Sequence, residues 1–181
     1  MKKNNRISAA DCLFIVALLF ISSPSFSQKN PVLSDAEVAS VAVVANQIDI
    51  DYAAIALKNT RNAEILKFAN TMANDHKAII AQAVALVTKL GVTPKTNSLS
   101  EKLLADAANT KKQLRSKKNN AFDIAYINNE VAYHKAVIGA VETVLIPESE
   151  NAELKALLQN VVPPLKAHLA HAEMVQKMII K

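Results

Sequence analysis

Three histidines, His76, His134 and His168, each sit inside a long apolar seam rather than at its end. From His76, steps of three and four reach Met72, Ala69 and Ile65 one way and Ile79, Ala83, Leu86 and Leu90 the other. That spacing puts the imidazole on the inward stripe of an amphipathic helix. His134 lies likewise among Ile127, Val131, Ile138, Val141 and Leu145, and His168 among Val161, Leu165, Ala172 and Val175. Asp49 and Asp51 stand at comparable depth in an earlier apolar stretch, and Glu130 precedes His134 by one turn. Neutral imidazole ligates zinc, copper or iron, and a carboxylate offsets the charge of the ion. The candidate ligands of a single transition-metal ion are therefore His76, His134, His168, Asp51, Asp49 and Glu130, with the identity of the ion left open. His171 flanks the same face as His168, and Asp75 points about 100° away from His76, where it suits pairing or orienting a ligand. The same side chains permit a second reading. With Tyr52, Tyr126 and Tyr133 they could close a buried His/Asp/Tyr hydrogen-bond network, in a non-metal structural or interaction module. A third reading is an oxidoreductase on one or two metal ions with Glu130 as an added ligand. None of the three names a substrate, so an enzymatic role is not assigned.

The elements that must position these groups are helices. The chain holds only two glycines, 4% aromatics and 51% hydrophobic residues, with no run of strict apolar/polar alternation. Ser34-Asp-Ala-Glu37 forms a capping box before a helix to about Lys58, with Val41, Val44, Ile48, Asp51 and Ile55 as its inner seam and Asp49 on an adjacent strip. The short turn at residues 59–62 sends a second helix back antiparallel from Ala63 to Leu90, stopped by Gly91. A crossover from Val92 to Asn120 carries a short, weaker helix beginning after Ser98 or Ser100, and Lys111, Lys112, Arg115, Lys117 and Lys118 make it the most basic part of the chain. Residues 120–123 cap a third long helix that runs to Ile146 and ends at Pro147; a fourth starts near Asn151, with a kink expected at Pro163-Pro164. A pair, a crossover and a second pair make an all-α, ferritin-like four-helix bundle whose crossover segment carries a short extra helix. At 1.5 Å per residue, the histidines and the aspartates fall within a turn or two of mid-height, where they could meet.

The chain's first residues follow a different rule. Lys2, Lys3 and Arg6 precede the apolar run Cys12–Ile21, and Ser25-Phe26-Ser27 fits a small-x-small cleavage site. Residues 1–27 are therefore read as a cleaved signal peptide, 28–33 as a tail and 34–181 as the bundle domain, exported to the periplasm or cell envelope with no transmembrane anchor after cleavage. The one cysteine, Cys12, leaves with the leader, so the exported chain has no disulfide and no thiolate ligand. Without Lys2, Lys3, Arg6 and Asp11, the 21 basic and 16 acidic residues become 18 and 15, a net charge of +3. That balance does not argue for nucleic acid; an envelope partner protein or a second copy of the chain stays open as a partner, and the basic crossover is a solvated surface or a contact for an anionic lipid or partner. No Gly-rich phosphate loop and no Gly-x-Ser-x-Gly elbow is present.

Phe68-Ala-Asn-Thr-Met-Ala-Asn-Asp-His76, then Phe122-Asp-Ile-Ala-Tyr126 with His134, then Pro164-Leu-Lys-Ala-His-Leu-Ala-His-Ala172 resemble, in this order, one bacterial family. It is the exported domain-of-unknown-function family with a ferritin-like fold, often labelled as outer-membrane proteins. The resemblance covers about Leu33 to Ile179 and implies a secreted or periplasmic bundle with the Asp-His of the second helix and the later histidines as signature positions. Where the family usually shows glutamate in the first helix, this chain has Asp49 and Asp51. Ala73 and Val131 stand where paired Glu-x-x-His motifs would need glutamate, so the resemblance does not extend to ferroxidase chemistry.

Overall fold

The computed structural model of the chain describes residues 33–180; the expected leader, and the tail before Leu33, lie outside the described residues. Helix α1 is Asp35–Asn59, α2 Ala63–Lys89, α3 Ser98–Arg115 and α4 Asn119–Ala140; a π-helical stretch Val141–Leu145 and the single turn α5 (Ile146–Glu148) lead to α6 (Ala152–Ile179). The fold is an all-α bundle. Helices α1, α2, α6 and α4 form the four-helix core, and α3 lies along α1 from outside it. The described residues form one compact unit.

Local chemistry explains most of the boundaries. At the start of α1 the Glu37 carboxylate accepts from the Ser34 amide at 3.0 Å and from its hydroxyl at 2.7 Å. Asn62 and Asn151 cap α2 and α6 by accepting two amides each. Past the end of α2, Gly91 takes φ +65, its amide donates to the Thr88 carbonyl and that of Val92 to the Val87 carbonyl. This is the left-handed cap that glycine forms without steric cost.

Three boundaries differ from the sequence expectation. Helix α3 is 18 residues long rather than a short piece, because Asn97 caps it firmly through the Leu99 and Ser100 amides. Helix α4 begins at Asn119, itself at φ +51, and Asp123 does not cap it. The Asp123 carboxylate instead accepts from the Thr60 hydroxyl, tying the α1–α2 turn to the first turns of α4. The helix expected to run to Ile146 widens into a π-helix over its last turns, ahead of Pro147, which has no amide hydrogen to continue the ladder. Helix α6 runs without interruption through Pro163 and Pro164.

The core has two apolar halves. One gathers Ile48, Ala53, Ile65, Phe68, Met72, Phe122, Tyr126 and Val175. The other gathers Val38, Val41, Ile138, Leu145, Leu158 and Leu165. On every core helix the boundary between them falls at one level: after Val41 on α1, after Ala73 on α2, after Val131 on α4 and before Ala172 on α6. The polar residues occupy that level. Helix α1 is long and apolar enough to cross a membrane by length and composition, yet more than half of its most apolar stretch is buried. Its apolarity follows from its place, packed by the core on one side and by α3 on the other.

Candidate metal centre

Asp49 from α1, His76 from α2, Glu130 and His134 from α4, and His168 from α6 meet in the layer between the two apolar halves, none more than 6% exposed. The imidazole centroids lie 5.7 Å (His76–His134), 5.2 Å (His76–His168) and 5.6 Å (His134–His168) apart. Each ring has one nitrogen tied outward. The Nδ1–H of His76 donates to the Asn46 side-chain oxygen at 2.7 Å, and Asn46 is held in that orientation because its own amide donates to the Ala42 carbonyl. The Nδ1–H of His134 donates to the Glu130 carbonyl at 3.0 Å, one turn back along α4. His168 donates from Nε2 to the Asp75 carboxylate, also at 3.0 Å. These bonds set the tautomers and leave His76 Nε2, His134 Nε2 and His168 Nδ1 as lone-pair donors. All three are buried without a hydrogen-bond partner.

One ligand atom from each histidine lies within 4.8 Å of the other two. Three points so placed share a centre about 2.8 Å from each, so an inward movement of under about 1 Å reaches the 2.0–2.1 Å of a metal–imidazole bond. Asp49 Oδ2 sits 3.3 Å from His76 Nε2 and 3.5 Å from His134 Nε2, beyond the usual hydrogen-bond range, and neither of its oxygens has a partner. Glu130 forms a second close group with Asp49 and His134, and both of its oxygens are orphaned as well. Buried polar atoms are rarely left unpaired, and here they point at one another. The donor set fits a transition-metal ion.

Burial also decides the protonation states. It pushes the Asp49 carboxyl up to about 8. Burial raises Glu130 well above the carboxylate range too, with the nearby Asp49 adding to the effect. Desolvation lowers His76 to about 3 and His134 to about 4, so both rings stay neutral at physiological pH. A metal-free interior therefore holds neutral acids beside neutral imidazoles.

Of the six residues expected from the sequence, His76, His134, His168, Asp49 and Glu130 come together and Asp51 does not. Asp51 faces α3, where it pairs with Lys111 at 2.9 Å and accepts from Gln47 at 3.0 Å. Two residues 200° apart on α1 cannot face the same interior, and the seam that turns inward is the one through Ala45, Ile48, Asp49, Tyr52 and Ala56. His171 packs edge-on against Phe68 instead of joining the cluster. Tyr133 donates to the Ala45 carbonyl at 2.8 Å and Tyr126 closes no hydrogen bond, so the tyrosines do not complete a polar network with the histidines. Asn46 escaped sequence reasoning. The available signal was its place one turn before Asp49 in an otherwise apolar stretch.

The profile of a family described as a domain of unknown function (DUF4142) matches residues 22–175. No curated protein matches the sequence. Among solved structures, the fold is similar to "CopM in the Cu(II)-bound form", with a TM-score of 0.59 and 15% sequence identity over 80% of this chain and 97% of that one.

Proposed function

The chain belongs to the family described as a domain of unknown function (DUF4142), and on that premise we propose that it is an exported bundle that holds one transition-metal ion in its core. Its role in this reading is metal handling or stress protection in the cell envelope. The observation that carries the reading is the convergence of three imidazole lone pairs, each aimed inward because the opposite ring nitrogen is tied to Asn46, Asp75 or the Glu130 carbonyl. His76, His134 and His168 would hold the ion, with Asp49 as the charge-compensating oxygen ligand and Glu130 beside it. Copper is the ion favoured over zinc and iron. A nitrogen–oxygen donor set without thiolate suits Cu(II), divalent affinities peak at copper, and the similar fold is that of a protein solved in a Cu(II)-bound form. Export rests on the basic, apolar and small-residue order of positions 1–27.

The test uses residues 28–181 without a histidine tag. One Cu(II) per chain is expected by elemental analysis, lost in the His76→Ala/His134→Ala double variant, with copper held more tightly than zinc in competition. A chain that takes up no stoichiometric metal, and whose melting no chelator alters, would be the buried-network module instead.

A further inference from the structure

The basic crossover has no part in the metal centre, and the fold gives it neighbours. The α1–α2 turn, the α3–α4 junction and the C-terminal turns of α6 lie at one end of the bundle, joined by the Thr60–Asp123 bond and by Gln176 donating to Asn128 at 2.8 Å. Lys112, Arg115, Lys117 and Lys118 come to this end from the crossover, all exposed. Lys58, Arg61 and Lys67 join them from α1, the α1–α2 turn and α2, and Lys177 from α6, again exposed. Among the described residues none of these eight forms an ion pair, whereas six other lysines do. Of the carboxylates at this end, Asp51 and Glu173 are committed to Lys111 and Lys135, and Asp123 is bonded to Thr60. Among the described residues, Glu64 is the one carboxylate at this end left to oppose the eight cations.

A second feature shares the same end. Met174, Met178 and Ile180 are 48%, 43% and 51% exposed, three of the five large hydrophobic side chains that the described fold leaves in solvent. Met174 and Met178 are one turn apart, so they form a single apolar strip with Lys177 alongside. Cations that neutralise headgroups next to apolar side chains that enter the interface are the two components of peripheral membrane attachment. We propose that this end of the bundle docks on an anionic lipid surface, with the crossover cations on phosphate headgroups and the Met174–Met178 strip at the acyl boundary. Charge complementarity to phosphate headgroups, together with an apolar strip at the same end, favours a bilayer as the occupant.

Flotation of residues 28–181 with vesicles tests it, comparing phosphatidylcholine alone with phosphatidylcholine containing about 30% phosphatidylglycerol. Binding to the anionic vesicles is expected to exceed binding to neutral ones by about tenfold or more and to fall as salt rises towards about 0.5 M. Substituting Lys112→Gln, Arg115→Gln, Lys117→Gln and Lys118→Gln together should abolish the lipid preference, with helical content and metal load unchanged because all four are exposed. Met174→Ser/Met178→Ser should weaken anionic binding while its salt dependence persists. Equal binding to both vesicles, no binding to either, or undiminished binding by either variant overturns the proposal.

Discussion

At the scale of single residues, the centre depends as much on what holds the histidines as on the histidines. Asn46 and Asp75 each accept an imidazole N–H and so choose which nitrogen faces inward. Asn46→Ala is therefore expected to weaken metal binding about 10- to 100-fold without touching a ligand, by competition titration. Asp51→Asn should leave the affinity unchanged, because that carboxylate belongs to Lys111; loss of metal in this variant would mean α1 is rotated from the orientation described. The pH dependence follows from burial. Asp49 is raised to about 8, so the proton it keeps on folding stabilises the metal-free chain fully below about pH 4, and that contribution is lost as pH rises through 8. His76 and His134, lowered to about 3 and 4, act in the opposite sense: their contribution is present above 6.5 and is lost as pH falls towards 4. Between pH 6.5 and 8 the folded chain begins to lose the Asp49 proton. The metal-free melting temperature should therefore fall across that window, while metal affinity climbs as the ion displaces the Asp49 proton. Melting curves at the two pH values, and calorimetric titration in buffers of different ionisation heat, measure both.

At the scale of the elements, helix caps set boundaries that the site uses. Asn62 accepts the Glu64 and Ile65 amides at the start of α2, 14 residues before His76. Asn62→Ala should cost about 1 kcal/mol and lower the melting temperature by about 2–4 °C, leaving metal stoichiometry intact. Much of this level could be read in advance. Ser34 with Glu37, Asn62, Gly91 and Asn151 each carry local chemistry that acts regardless of the rest of the fold. Asp123 and Asn119 could not be read this way. Asp123 resembles a capping residue in sequence, but a hydroxyl 63 positions away takes its carboxylate, so α4 starts elsewhere. The π-helical turn was equally invisible, since its five residues, Val-Glu-Thr-Val-Leu, have no composition that separates them from ordinary helix.

At the scale of the whole molecule, the polar layer divides the core and links all four core helices. An ion bound there stabilises the fold by mass action, by about 2.7 kcal/mol when free metal stands at 100 times its dissociation constant. The melting temperature should rise with metal concentration and return to the metal-free value on chelation. In the double variant lacking His76 and His134 the metal dependence should vanish, read by calorimetric scans at several concentrations.

The sequence by itself determined the helices, their order and the depth of each polar group along its own axis. Those follow from 3.6-residue periodicity, local caps and a fixed rise per residue. It also singled out His76, His134 and His168, because each is a polar break in a clear apolar stripe. Only the tertiary structure decided that Asp49, and not Asp51, faces them. The crossover helix α3 covers the outer side of α1, so α1 is apolar nearly all round and has no single stripe from which its inward face could be read. Tautomers belong to the tertiary structure as well, since the groups that fix them on His76 and His168 stand 30 and 93 residues away and meet the rings only once the helices have packed.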